Sequence, residues 1–127
     1  MSHPKFYDLP VWQASRRLAR AIYTISNTGT FRTDWRLREQ IRDAAASVMA
    51  NIAEGFARRY DRELTQFLFV AKGSAAEVQS HLFVALDRSH LDDETFQAPF
   101  DLADEVTRQI SGLISYLTGR KRPQTAS

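Results

Sequence analysis

A chain of 127 residues, 43% of them apolar, is long enough for one self-sufficient hydrophobic core. It contains no cysteine, which excludes disulfides, thiolate metal sites and cysteine nucleophiles together. The net charge of +2 is laid out unevenly: residues 1–62 hold eleven Lys/Arg against six acids, residues 63–119 hold three against nine, and Arg120-Lys121-Arg122 add three bases.

The opening Met-Ser-His-Pro-Lys lacks the apolar stretch of a secretory signal. No apolar run approaches the ~20 residues of a membrane-spanning helix. The expectation is a soluble cytoplasmic protein with one domain over residues 1–119 and a basic tail over 120–127.

Lys5 to Pro10 reads as an extended lead-in, with Asp8 and Pro10 marking a helix start. The first helix is predicted from Pro10 to Ser26, its apolar stripe formed by Val11, Leu18, Ile22 and Ile25. Trp12 and Tyr23 flank that stripe, and Arg16, Arg17 and Arg20 lie opposite it. Asn27-Thr28-Gly29-Thr30 has turn chemistry and ends the helix.

A second helix begins near Thr33-Asp34, where a hydroxyl can cap and an acid suits the positive end of the helix dipole, and runs to about Arg59. Ile41, Ala44, Ala45, Val48, Ile52 and Phe56 recur on one face of a 3.6-residue period. The alanines leave room for a neighbouring helix to approach closely. Gly55 marks either such an approach or a loosening of the helix end.

Asp61 is expected to cap a third helix whose stripe runs from Leu64 through Phe67, Leu68, Ala71, Ala75, Val78 and Leu82 to Leu86. Phe69, Val70, Phe83 and Val84 point elsewhere, so this helix is apolar around most of its circumference. A helix of that kind is buried on more than one side, which argues for contacts between subunits. Gly73 and Ser74 are placed as small residues facing Ala44 and Ala45 across a close helix–helix crossing.

Ser89-His90-Leu91 makes the next turn, and Asp92-Asp93-Glu94 supplies an acidic first turn for a fourth helix. Pro99 either kinks that helix or marks its true start, and Gly119 ends it. No segment has strand periodicity. The fold class read from the residues is all-α, an antiparallel up-and-down four-helix bundle.

Several segments carry a family likeness: Phe6-x-x-Leu9-x-Val11-Trp12-Gln13, Gln40-Ile41-Arg42-x-Ala44-Ala45-x-Ser47, Asn51-Ile52-Ala53-Glu54-Gly55-x-x-Arg58, and Phe67-Leu68-x-x-Ala71-x-Gly73-Ser74-x-x-Glu77. In this order they resemble the bacterial four helix bundle proteins encoded within intervening sequences of 23S ribosomal RNA genes. Asp43, Met49 and Ser89-His90 depart from that pattern, where an arginine, a proline and Gly-Tyr are usual. The resemblance implies a bundle assembled into a homopentameric ring. It also implies kinship with the accessory variability determinant proteins, pentameric barrels that bind nucleic acid and a reverse transcriptase. It transfers no catalytic residue.

Fourteen of the seventeen bases are arginine, suited to bidentate phosphate or carboxylate contacts. Arg16, Arg17, Arg20, Arg36, Arg38, Arg42, Arg58, Arg59 and Arg62 are the candidate nucleic-acid contacts. The competing reading pairs them with acids of the last two helices, within the chain or between subunits. Trp35 and Tyr60 are the rings expected near them, which is poor aromatic interleaving, so binding would follow the phosphate backbone and weaken with salt.

Asn51, Glu54, Arg58 and Glu77 form a second candidate, either a polar cluster lining a ring or a buried network that fixes register. Glu77 and His81 share a helix face at i, i+4, too few ligands for a metal site. No phosphate loop, nucleophile elbow or zinc-protease motif occurs. The expected protein is a non-enzyme without metal or cofactor. Its expected partners are copies of itself and RNA or a nucleic-acid-processing protein, with no membrane involved.

Overall fold

Pro10 opens the first helix because its fixed φ suits that position and its missing N–H has no partner to lose. In the computed structural model, which describes residues 4–119, α1 spans Pro10–Ile25 behind a 3-10 turn at Phe6–Asp8. The chain then forms α2 (Gly29–Thr33), α3 (Trp35–Phe56), α4 (Asp61–Asp87) and α5 (Asp93–Thr118), and the described residues contain no strand. The tail over 120–127 lies outside the described residues.

The expected count of four helices is corrected to five, four long and one short. The physical reason is Phe31, which is fully buried and draws the link after α1 into a helical turn against the core. The four long helices pack in cyclic order, α1 on α3, α3 on α4, α4 on α5 and α5 on α1. Leu18 and Ile22 of α1 meet Ile41, Val48 and Ile52 of α3, Leu68, Val78 and Leu82 of α4, and Val106 and Ile110 of α5 in one core. No described helix is long and apolar enough to cross a membrane.

Gly55 is a point of close approach. A Cβ there would lie 2.7 Å from Phe67 Cβ and 3.0 Å from Leu64 Cδ1, so only glycine lets α3 and α4 meet at this level. α3 ends immediately afterwards at Phe56, three residues short of the Arg59 expected. Gly73 corrects the other small-residue reading: it is exposed, with nothing within 4 Å of an added Cβ. Ala44, Ala45 and Ser74 are buried, and Ser74 meets Ser47 across the α3–α4 seam at 2.9 Å.

The cap of α3 falls to Asp34 rather than to the expected hydroxyl: its carboxylate accepts from the Leu37 N–H. Asp61 does not cap α4; Tyr60 holds that position without a side-chain bond, and Asp61 lies in the first turn. Asp92 caps α5 in a reciprocal box with Thr95, its carboxylate accepting from Thr95 N while Thr95 Oγ1 accepts from Asp92 N. Those bonds from Thr95 hold the Asp92 carboxyl below its ordinary value. Pro99 does not start α5, which begins at Asp93; it is buried inside the helix. Gly119 terminates α5 in the left-handed conformation.

Candidate nucleic-acid interface

The nine candidate arginines occupy distinct settings. Arg42 is a structural tie: its Nε donates to Ser26 Oγ at 2.8 Å, its Nη2 donates to Tyr23 O at 3.4 Å, and its guanidinium lies 4.8 Å from the Tyr23 ring centroid. It closes the carbonyl end of α1 onto α3. Arg38 is half-buried, donating to Arg32 O at 3.2 Å with Glu39 at 3.4 Å from its Nε, and faces solvent poorly.

Arg58 leans on Glu54 at 3.4 Å and on the Phe67 ring at 4.9 Å. Arg36, Arg59 and Arg62 are exposed, and no ion pair or side-chain hydrogen bond engages them among the described residues. The stem and head of each are therefore held only by solvent.

Arg16, Arg17 and Arg20 stand together on the exposed face of α1, where the helical repeat places them within little more than one turn. Arg17 makes the interhelix pair, 3.7 Å from Glu105 of α5, with Arg17 exposed and Glu105 partly exposed. Arg16 lies 5.9 Å from the Trp12 ring centroid, at the edge of cation–π range. Arg20 has no acid in ion-pair reach among the described residues.

With Tyr7, Trp12 and Gln13 these arginines line an open cleft of about 390 Å³. The 3-10 turn builds its aromatic wall. Phe6 sits edge-on to both Tyr7 and Trp12, with centroids 5.3 and 5.2 Å apart. Gln13 Nε2 donates to Tyr7 O at 2.9 Å and pins the turn to α1. Tyr7 keeps half of its surface in water. Trp35 and Tyr60 are exposed, and neither lines this cleft.

The polar set Asn51, Glu54, Arg58 and Glu77 divides into three separate contacts. Asn51 Nδ2 donates to Ser47 O at 2.8 Å and to Ser47 Oγ at 3.0 Å, extending the Ser47–Ser74 link between α3 and α4. Glu54 belongs to Arg58. Glu77 meets His81 at 3.3 Å, and no third ligand-type side chain joins them among the described residues.

A further cluster escaped the sequence reading. Asp34 Oδ2 accepts from Arg88 Nη1 at 2.7 Å and from His90 Nε2 at 2.8 Å. These bonds, that from His90 first, bring the Asp34 carboxyl down to about 2 from an ordinary 3.8. His90 Nδ1 lies 2.8 Å from Thr30 Oγ1, and its ring stacks on Phe31 at 5.4 Å. The residues are far apart in sequence, and the only signal was the histidine in the turn before α5.

A family model described as 23S rRNA-intervening sequence protein matches residues 7–112. The chain belongs to that family. The matched span runs from Tyr7 of the cleft wall, through all four long helices, into the second half of α5. Comparison with curated proteins finds no match. Among solved structures, the chain resembles a protein of unknown function from the S23 ribosomal protein family of Bacteroides thetaiotaomicron. The two are 19% identical with a TM-score of 0.75, the likeness covering 82% of this chain and 97% of the other. At that identity the likeness between the two structures is one of helical fold.

Proposed function

We propose that the protein is a non-enzymatic cytoplasmic scaffold: an antiparallel bundle of four long staves that self-associates and holds RNA, or a nucleic-acid-processing partner, on an arginine-rich surface. The observation that carries this reading is the unequal use of the arginines. Arg42 and Arg38 are spent on the fold, whereas Arg20, Arg36, Arg59 and Arg62 stand exposed without an acid among the described residues. A protein that needed its bases only for internal pairing would leave fewer of them in solvent. Repeating such a face around a ring multiplies its field.

Self-association is supported by α4. Phe69, Val70 and Phe83 are each about half exposed, and the small exposed residues Gly73 and Ala76 lie between them. The resemblance suggests five copies. The same surface supports a second reading, a purely structural homo-oligomer that binds no nucleic acid.

Two measurements test the proposal. Light scattering at micromolar concentration should give the mass of an assembly, and a single-chain mass removes the scaffold. Titration with labelled RNA at low and moderate salt should give binding that falls steeply with salt. An assembly without any binding at low salt leaves the structural reading alone.

A further inference from the structure

We infer that the cleft between the 3-10 turn and α1 is a single-strand site, in which Tyr7 stacks a base while Arg16 and Arg20 take the flanking phosphates. This rests on the reading that the protein binds RNA and says where and in what form. The arginine surface as a whole asks only for negative charge. This cleft asks for more, because an aromatic ring with half of its surface in water lines it together with three arginines.

Its volume of about 390 Å³ lies at the small end of ligand-site sizes, enough for one nucleotide unit rather than a folded partner. The wall is prepared before binding. Phe6 braces Tyr7 and Trp12 edge-on, and the Gln13 bond fixes the Tyr7 backbone, so little freedom is lost when a base arrives. Stacking on an aromatic face tolerates any base, and guanidinium groups read phosphate, so the site is weakly selective for sequence. Duplex RNA hides its base faces and has no use for Tyr7.

Arg17 has a different role. Its partly exposed partner Glu105 holds it at 3.7 Å, so it reaches a phosphate only by exchanging one anion for another. Arg16, held loosely over Trp12, gives up less.

The test is fluorescence anisotropy of a labelled single-stranded oligouridylate and of a duplex of the same length, with the full chain. Tyr7→Ala should weaken single-strand binding about tenfold, and Tyr7→Phe should keep it, because stacking needs the ring and not the hydroxyl. Arg16→Ala and Arg20→Ala should each lower the salt slope by about 1. Arg36→Ala, which does not line the cleft, should cost less than either. All variants should retain the parent mass and melting temperature, since Tyr7, Arg16 and Arg20 are exposed. Wild-type binding that Tyr7→Ala leaves intact, or that is equal for duplex, overturns the cleft but leaves the broader RNA reading standing. Absence of binding by the wild type overturns both. Competition by polyglutamate as strong as by the oligonucleotide assigns the cleft to an acidic protein and overturns the single-strand site.

Discussion

His90 Nε2 lies 2.8 Å from Asp34 Oδ2 and joins the turn before α5 to the start of α3, 56 residues earlier. Because that carboxylate stays ionised, it is the acceptor and the imidazole N–H donates. In neutral His90 this leaves Nδ1 to accept from the Thr30 hydroxyl. One carboxylate thus caps α3, anchors Arg88 and orients a histidine that covers the buried Phe31. The short helix α2 is held to the bundle by these bonds.

The first prediction is the pH dependence of that arrangement. Asp34 has a folded value of about 2 against an ordinary 3.8, so its contribution is fully present above the ordinary value and is lost as pH falls through the folded one. The displacement corresponds to about 2 kcal/mol by linkage. Asp34→Asn keeps a capping oxygen but removes the charge. Urea unfolding should show wild type ahead of this variant by about 2 kcal/mol at pH 6. The gap should close between about pH 4 and pH 2. A gap of constant size across that range would show that the charge is not its source.

Gly55 and Gly73 make an opposed pair. Gly55→Ala should gain about 1 kcal/mol of helix propensity but drives a methyl into Phe67, and overpacking costs of about 1–3 kcal/mol should win. Gly73→Ala meets nothing within the chain and should stabilise it by about 0.5–1 kcal/mol. If α4 is covered by another copy, the same methyl should weaken the assembly. Melting curves together with mass across a dilution series separate the two effects, and an assembly indifferent to Gly73→Ala would argue that its seam lies elsewhere.

The long elements were legible because each carries local, repeated signals. Pro10, Asp34, Asp92 and Gly119 mark helix limits, and the apolar stripes carry through nearly every turn. The misses were non-local. Nothing in Asn27-Thr28-Gly29-Thr30 announces that Phe31 is swallowed by the core, and Arg42 looks like any surface base until α1 ends beside it. Tyr7 stands in a stretch with the local signals of a lead-in, and nothing periodic in it marks a cleft where rings and arginines converge. Side-chain partners at large sequence separation are set by packing, which periodicity does not encode.

Arg42 should therefore behave as a stability residue. Arg42→Ala removes two hydrogen bonds and the contact with Tyr23, leaving the Tyr23 carbonyl at the end of α1 less well served. The expected loss is about 1–3 kcal/mol in chemical denaturation. Arg42→Lys should recover only part of it, because an ammonium cannot match the planar fork. RNA affinity measured at a temperature where both proteins are folded should stay within twofold of wild type. A large loss of affinity with unchanged stability would return Arg42 to the binding surface.

The apolar face of α4 gives another reading of assembly. Phe69 and Val70 each leave about half their surface in water, so Phe69→Asp with Val70→Asp should cost the isolated chain little while removing exposed apolar area. In an assembly sealed by that face, two buried carboxylates in every copy would be prohibitive. The double variant should sediment as a single chain with an unchanged helical circular dichroism spectrum, while wild type sediments as an oligomer. Identical sedimentation of the two proteins would exclude this face as the seam.

The last prediction turns on Glu105, the acid that competes for the basic face of α1. It stands 3.7 Å from Arg17 and accepts from Gln109 Nε2 at 3.2 Å, and the pair is open to solvent, with Arg17 exposed and Glu105 partly so. Exposed pairs of this kind contribute about 0–1 kcal/mol, so Glu105→Gln should leave the melting temperature nearly unchanged. Its effect should appear in binding. Neutralising Glu105 releases Arg17 and removes a negative charge from beside the cleft, which should tighten RNA binding about threefold at low salt and steepen the salt dependence by close to one counterion. Arg17→Ala in the same background should abolish that gain. If Glu105→Gln leaves affinity unaltered while Arg17→Ala weakens it, Arg17 already reaches the phosphate in the wild type, and the pair with Glu105 opens on binding without measurable cost.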